Sequence, residues 1–175
     1  MGVLTSEGLF YIDVYEYQSG SWTVLDKIMD EWWKRAINLI PMWMAPNVVT
    51  LTGLSFLVVQ CLLIVFYCPT LTEACPWWVY IFSAICQFIY QTLDAIDGKQ
   101  ARRTGASSPL GQLFDHGCDS VGTLMCALPA LAVCRFGPGV MSVLLLSAIQ
   151  GPFFLAQWEE AHTHKFRTNI GYISI

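Results

Sequence analysis

Four aspartates lie within one stretch of the chain, residues 94–119, that contains no other acidic side chain. Asp94 and Asp97 are three residues apart and Asp115 and Asp119 are four apart, so each pair falls on one face of a helix. Long apolar runs flank both pairs, and an ionised carboxylate at membrane depth costs about 2.5 to 3.5 kcal/mol even on a lenient insertion scale. We therefore expect positive charge to neutralise this cluster.

Divalent cations are the simplest means of neutralising these carboxylates, because two ions cancel four charges. Ligation by oxygen alone suits Mg²⁺ or Mn²⁺ and disfavours zinc. Two such ions about 3.5 to 4 Å apart clamp the attacking and leaving oxygens of a phosphoryl displacement. Lys99, Arg102 and Arg103 can offset the charge of a diphosphate, and Gly98 lets a phosphate approach the main chain. The pattern predicts a two-metal site for phosphoryl transfer.

The composition indicates that membrane helices position these groups. Of the 175 residues, 55% are hydrophobic and 13% are charged, and the mean hydropathy is +0.50, values atypical of a soluble domain. Spans need about 20 apolar residues and are predicted at 48–68, at 77–93 with continuation into the aspartate segment, at 110–134 and at 140–158. The net charge of −4 excludes the positive field that non-specific nucleic-acid binding requires.

The predicted fold is an all-α integral membrane protein, an antiparallel bundle of about four transmembrane helices preceded by an amphipathic interfacial helix. Ser108 and Pro109 predict the cap and first residue of the third span, and Gly151 with Pro152 predicts a kink or unwound turn in the fourth. The short connection at 104–109 makes spans two and three antiparallel neighbours, so the two aspartate pairs face each other. Gly111 leaves a gap on the same face for a backbone or a ligand.

Basic residues predict the orientation of the bundle, because Lys and Arg near span ends favour the cytoplasmic side. Eight of the nine fall at one end of the bundle, and Arg135 alone falls at the other. We therefore expect both termini and the aspartate-containing loop in the cytoplasm. The eight are Lys27, Lys34, Arg35, Lys99, Arg102, Arg103, Lys165 and Arg167.

The amphipathic helix is predicted between Leu25 and Ile40, where apolar residues recur at helical spacing. It can lie in the bilayer interface or pack against the bundle, and the sequence leaves both alternatives open. The predicted division is an N-terminal cytoplasmic or interfacial segment at 1–45 and a partial transmembrane domain at 46–175. Among the seven cysteines only Cys68 and Cys75 flank a predicted loop, where a disulfide could form.

Eight positions within residues 94–119 match the signature D-x2-D-G-x2-A-R-x8-G-x3-D-x3-D of the CDP-alcohol phosphotransferases, a family that this chain resembles. The segments PNVVTLTG, FYCPTLTEACPWW and WEEAHTHK further resemble the eukaryotic choline/ethanolamine phosphotransferase branch. The resemblance covers residues 40–175. The matching positions are Asp94, Asp97, Gly98, Ala101, Arg102, Gly111, Asp115 and Asp119.

That resemblance implies a multi-pass enzyme of the endoplasmic reticulum or Golgi. It would transfer phosphocholine and/or phosphoethanolamine from the CDP-alcohol to diacylglycerol, with Mg²⁺ or Mn²⁺, and release CMP. Asp94, Asp97 and Asp115 would ligate metal, with Asp119 as a shared ligand or as the base. The implied partners are CDP-choline or CDP-ethanolamine, diacylglycerol and the lipid bilayer. The chain could also form a homodimer, and nucleic acid is not expected as a partner. The residues expected to bind substrate are Asn47, Gly98, Arg102 and Gly111.

The proton acceptor is predicted to be His116, with Asp119 as the alternative. A carboxylate that binds metal is a weak base, because ligation favours its ionised form. His116 directly follows Asp115 and lies three residues from Asp119 on a helix, and imidazole is the side chain that titrates closest to neutral pH.

Other interpretations stay open beside the enzymatic one. Paired intramembrane aspartates also occur in ion-conducting helices, although the complete signature disfavours this. Members of the family have more membrane helices than the four counted here, so a second hypothesis is a truncated, catalytically inactive isoform that binds metal or CDP-alcohol or acts as an interaction subunit. Residues predicted to be structural are the packing glycines Gly53 and Gly122, the interfacial aromatics Trp77, Trp78, Tyr90 and Trp158, and a solvated helix end at Glu159, Glu160 and His162.

Overall fold

The computed structural model of the chain describes residues 24–163, and these residues form helices joined by short connections, with no strand among them. The all-α prediction is confirmed. A 3₁₀ turn at Ile37–Leu39 follows the first α-helix. The α-helices are α1 (Val24–Ala36), α2 (Pro46–Tyr67), α3 (Trp77–Thr104), α4 (Pro109–Cys134) and α5 (Val140–Thr163). The predictions that involve residues 1–23, Lys165 and Arg167 lie outside the described part of the chain.

Four of the helices are long and apolar enough to cross a membrane, namely α2, α3, α4 and Val140–Glu160 of α5. They agree with the four predicted spans. As expected, α3 continues through the aspartate segment and reaches 28 residues. At about 1.5 Å per residue, Asp94 lies about 25 Å from the start of α3, so it falls near the far end of a hydrocarbon core about 30 Å thick.

Local sequence signals set the ends of the helices. The side chain of Ser108 accepts a hydrogen bond of 3.1 Å from the backbone N–H of Gly111, and Pro109 is the first residue of α4, as predicted. Gly105 ends α3 with φ of 67°, the left-handed conformation that glycine adopts without steric cost. Of the kink or unwound turn predicted at Gly151 and Pro152, the unwound turn is wrong, because α5 continues through both residues as helix. Proline removes one backbone hydrogen bond, and the adjoining turns keep theirs.

The central position of α2 was not predicted. This helix packs along both α3 and α4, which contact each other less than each contacts α2, while α5 packs against α4. Polar side chains link the helices through backbone carbonyls: Gln60 Nε2 donates to Met125 O at 3.1 Å, and Gln87 Nε2 donates to Cys126 O at 2.9 Å. Because α2 lies beside both aspartate-bearing helices, it contributes side chains to their shared end.

Helix α1 packs against the bundle and also exposes apolar residues. Trp32 Nε1 donates a 3.1 Å hydrogen bond to Thr92 Oγ1 on α3, and its ring centroid lies 5.6 Å from that of Phe88. The exposed fractions of Leu25 and Ile28 are 66% and 67%. Part of α1 therefore packs against the bundle, which is one of the two predicted alternatives. Its exposed apolar face remains available for the bilayer interface, which is the other.

The described cysteines form no disulfide. Cys68 and Cys75 are free thiols, buried in a small core at the end of the bundle opposite the aspartates. Burial and then the neighbouring Cys68 raise the pKa of the Cys75 thiol. The disulfide considered for this pair is not present.

Candidate metal and nucleotide site

The predicted aspartate cluster forms where α3 and α4 meet. Asp94, Asp97 and Asp115 each offer one carboxylate oxygen, and these atoms lie within 4.8 Å of one another. Asp119, one turn further along α4, does not belong to this group of three, but its carboxyl group contacts that of Asp94. The structure therefore brings together the residues of the two predicted pairs.

Two oxygens of this cluster have chemistry that suits a cation. Asp94 Oδ1 and Asp115 Oδ1 are buried and have no hydrogen-bond partner among the described residues. A buried carboxylate oxygen without a partner is costly, since its hydration is lost and nothing replaces it. Donors that are all oxygen fit a hard divalent cation such as Mg²⁺ or Mn²⁺. The residues present thus fit the metal that their spacing predicted.

Thr50 is a member of the site that the sequence analysis missed. Its hydroxyl donates a short hydrogen bond to Asp97 Oδ2, and both residues are almost completely buried. A usable signal was present, because Asn47, Thr50 and Gly53 recur every three residues in the first turns of α2. The polar face of α2 thereby meets the aspartates of α3.

Tyr90 is a second missed residue, and its predicted place among the interfacial aromatics is wrong. Its side chain is buried, and its hydroxyl donates a 2.7 Å hydrogen bond to Asp119 Oδ1. The ring lies between two glycines: a Cβ at Gly53 would lie 3.3 Å from Tyr90 Cδ2, and one at Gly122 would lie 2.5 Å from the hydroxyl oxygen. The prediction that both glycines are packing positions is confirmed.

The four residues expected to bind substrate form two pairs at the aspartate end of the bundle. A Cβ at Gly111 would lie 3.7 Å from Asn47 Oδ1, so the missing side chain leaves room for the amide at the start of α2. A Cβ at Gly98 would lie 3.8 Å from Arg102 Nη1, and Arg102 is exposed. The pairs occupy the start of α2, the end of α3 and the start of α4.

Two basic residues beside the aspartates contact the N-terminal segment. Lys99 Nζ lies 2.9 Å from Asp30 Oδ1 on α1. Arg103 donates from Nη1 to Ile37 O at 2.6 Å and from Nη2 to Ile40 O at 3.0 Å. Both side chains therefore tie α1 and the chain after it to α3, which leaves Arg102 as the member of the basic group placed over Gly98.

His116 pairs with the end of α5. Its Nδ1 lies 3.5 Å from Glu160 Oε2, and Gln112 Nε2 donates to Glu160 Oε1 at 2.7 Å. The exposed fraction of Glu160 is 6%, so the prediction of a solvated helix end is wrong at this position. The reason is a tertiary contact, because the last turns of α5 pack beside the first turns of α4.

A groove of about 620 Å³ opens between α4 and α5 next to His116. Apolar side chains such as Leu113 and Phe154 line it together with the amides of Gln150 and Gln157. Gln150 Oε1 and Gln157 Nε2 are buried without a hydrogen-bond partner in the described part of the chain. The groove is therefore mostly apolar, with His116 among its lining residues.

Comparison with known proteins identifies the family of the chain. Residues 43–171 match the family described as CDP-alcohol phosphatidyltransferase. The chain is 41% identical over 158 residues to cholinephosphotransferase 1 of Xenopus laevis, covering 89% of this chain and 39% of that protein. It is 46% identical over 134 residues to the Homo sapiens protein of that name (77% and 33%), and 40% identical over 155 residues to that of Saccharomyces cerevisiae (88% and 39%). The chain thus spans at most 39% of the length of these relatives.

Proposed function

Because this chain belongs to the CDP-alcohol phosphatidyltransferase family, we propose that it transfers phosphocholine and/or phosphoethanolamine from the CDP-alcohol to diacylglycerol. The products would be phosphatidylcholine or phosphatidylethanolamine, and CMP. The observation that carries the proposal is the convergence of Asp94, Asp97 and Asp115, with two buried oxygens that lack partners. The relatives named cholinephosphotransferase 1 support the choice of a choline-type donor.

The aspartates would hold two Mg²⁺ or Mn²⁺ ions, with Asp119 beside the group of three. When bound, such ions offset the charge of the diphosphate and of the departing CMP. The chain itself prepares the ligands, since the hydrogen bond from Thr50 fixes one oxygen of Asp97 and leaves the other for the cluster. The carboxylates are thereby held in place before substrate arrives.

The donor nucleotide would bind at the aspartate end of the bundle. Gly98 and Gly111 leave the main chain of α3 and α4 accessible, and the exposed guanidinium of Arg102 can bind phosphate oxygens through two N–H groups. Asn47 lies beside Gly111 and would contact the CDP moiety. This arrangement orients the phosphorus that bears the alcohol toward the carboxylates.

The acceptor hydroxyl would approach from the groove between α4 and α5. Its apolar walls suit the acyl chains of diacylglycerol, and His116 lies at its edge. Nδ1 of His116 lies 3.5 Å from Glu160 Oε2, and the imidazole of His116 would accept the proton of the attacking hydroxyl. Asp119 is the alternative proton acceptor.

The chain would act as a multi-pass protein of the endoplasmic reticulum or Golgi membrane. The four candidate spans support the membrane location, and the basic residues around the aspartate end favour a cytosolic N-terminus and active site. A cytosolic site gives direct access to the water-soluble CDP-alcohol. The chain could work as a homodimer.

The proposal is tested by reconstituting the 175-residue chain in lipid with Mg²⁺ and diacylglycerol and measuring CMP release from CDP-choline and CDP-ethanolamine separately. We expect release that is abolished by EDTA and by Asp94→Asn or Asp115→Asn. Glu73→Gln is the matched control, because Glu73 lies in the α2–α3 connection at the opposite end of the bundle. A full-length cholinephosphotransferase serves as positive control. Binding of Mn²⁺ without CMP release from either donor would instead support the inactive, ligand-binding form.

A further inference from the structure

Tyr90 is buried at the centre of the bundle but contacts the aspartate site. It comes from α3, one turn before Asp94, and its hydroxyl reaches across to Asp119 on α4, 2.7 Å from Oδ1. The exposed fraction of Tyr90 is 7%, so bulk water does not compete with this hydrogen bond. Oδ1 of Asp119 thereby has a hydrogen-bond donor, and Oδ2 is the oxygen that can make a different contact.

Two glycines make this reach across the bundle feasible. Gly53 on α2 admits the edge of the ring, and Gly122 on α4 admits the hydroxyl, since a Cβ there would lie 2.5 Å from the hydroxyl oxygen. Gly122 follows Asp119 by three residues, so the two share a face of α4. The absence of a side chain at position 122 is what lets the hydroxyl and the carboxylate meet.

Asp119 needs a fixed orientation because of its neighbours. Its carboxyl group contacts that of Asp94, and Asp115 lies one turn away. When these carboxyl groups are ionised, their negative charges repel one another, and rotation of the Asp119 side chain would relieve the repulsion by turning the carboxylate out of the site. A donor that holds one oxygen prevents that rotation.

We propose that Tyr90 is a positioning residue: its hydroxyl holds Oδ1 of Asp119 so that Oδ2 is presented to the aspartate cluster. The inference rests on the proposed function, because it gives Tyr90 a role in preparing that same site. Tyr90 does not touch substrate and acts only through Asp119.

The test compares Tyr90→Phe with Tyr80→Phe in the full chain reconstituted in lipid. Phenylalanine keeps the ring between the glycines and removes only the hydroxyl, whereas Tyr80 accepts a hydrogen bond from the Cys75 N–H near the other end of α3. Mn²⁺ affinity is measured by electron paramagnetic resonance, and kcat and KM are measured by CMP release. For Tyr90→Phe we expect Mn²⁺ affinity to fall about tenfold, as for loss of a partner that orients a ligand. The value of kcat should fall while KM for the CDP-alcohol is retained, and Tyr80→Phe should match the wild type.

A glycine pair provides a second, independent comparison. Gly122→Ala pushes against the hydroxyl and should reproduce the loss of Mn²⁺ affinity. Gly53→Ala meets the ring edge at 3.3 Å and Leu93 Cβ at 3.4 Å but not the hydroxyl, and it should not reproduce that loss. Thermal unfolding of each variant separates a general loss of stability from a change at the metal site.

Unchanged Mn²⁺ affinity and kcat in Tyr90→Phe would overturn the inference, as would equal effects of the two glycine variants. A wild-type chain that binds no Mn²⁺ would overturn it as well. If the wild type binds Mn²⁺ but releases no CMP, the proposed function fails, and the Mn²⁺ comparison still decides the role of Tyr90.

Discussion

Nδ1 of His116 lies 3.5 Å from Oε2 of Glu160, which connects the second turn of α4 to the end of α5. Glu160 is buried and also accepts a hydrogen bond from Gln112, so its carboxylate is held from two sides. Salt screens a buried pair much less than an exposed one. The contact with Glu160 therefore restrains the ring of His116, which directly follows Asp115 of the aspartate cluster.

Replacement of Glu160 should affect turnover more than binding. We expect Glu160→Gln to lower kcat about tenfold, by analogy with loss of a partner that orients a functional group, while KM for the CDP-alcohol stays unchanged. Glu159→Gln is the matched control, since it alters the adjacent carboxylate of the same helix. Equal kcat in both variants would show that the contact with His116 has no catalytic consequence.

His116 itself can be distinguished from Asp119 as the proton acceptor. We expect His116→Ala to lower kcat by about 10²- to 10⁴-fold, the usual contribution of a general base. Mn²⁺ affinity should be retained in this variant, because His116 is not among the clustered oxygen ligands. If His116→Ala kept nearly full turnover at neutral pH while Asp119→Asn abolished it without loss of metal, Asp119 would be the base.

The aspartate cluster could be predicted from the sequence because its information is local. The spacing of Asp94 with Asp97, and of Asp115 with Asp119, fixes the helix face of each pair, and a short connection brings the two helices together. The match to the family signature then indicated the kind of reaction that the cluster would serve. Ser108 and Pro109 likewise fix the start of α4 through interactions within a single turn.

The supporting residues could not be predicted, because their roles depend on which helices become neighbours. Thr50 meets Asp97 across 47 residues of sequence and Tyr90 meets Asp119 across 29. Helical periodicity assigns each to a face but does not say which face of another helix it will meet. Glu160 was predicted to be solvated for the same reason. Its charge and its position near a helix end favour exposure to solvent, and the sequence does not show that α4 packs against it.

Thr50→Val tests the contact between α2 and Asp97. Valine has nearly the same shape but cannot donate a hydrogen bond, so Asp97 Oδ2 would lose its partner. We expect Mn²⁺ affinity to fall about tenfold, measured by electron paramagnetic resonance. Thr52→Val is the matched control, because Thr52 is exposed and its hydroxyl bonds only to Val48 O within α2. Similar Mn²⁺ affinity in the two variants would contradict a role for Thr50 at the site.

Arg102 and Arg103 are adjacent but should behave differently. Arg102→Gln should raise KM for the CDP-alcohol about tenfold or more, because a hydrogen bond to a charged group contributes about 1.5 to 3 kcal/mol. Thermal stability should be unchanged in that variant. Arg103→Gln should lower thermal stability with KM retained, since its guanidinium bonds to Ile37 O and Ile40 O. A rise in KM for Arg103→Gln alone would reverse these assignments.

The attachment of α1 should depend on pH through Asp30. The hydrogen bond from Lys34, followed by that from Lys99, lowers the pKa of the Asp30 carboxyl group. A carboxyl group whose pKa is lower in the folded state contributes stability above its unfolded pKa, about 3.9. That contribution is lost as the pH falls through the lowered folded value. We therefore expect α1 to stay docked at neutral pH and to loosen only in acid below the ordinary range of aspartate.

Hydrogen exchange of residues 24–36, followed by mass spectrometry and corrected for the intrinsic effect of pH, measures this attachment. Protection in the wild type should fall as the pH drops below about 3.9. Asp30→Asn should reduce protection already at neutral pH and remove the acid step, because the contact between α1 and Lys99 is then lost. Glu31→Gln is the matched control: Glu31 pairs with Lys34 on the exposed side of α1 and has no described contact with α3. If Asp30→Asn still lost protection as the pH fell below about 3.9, the pH dependence would belong to another group.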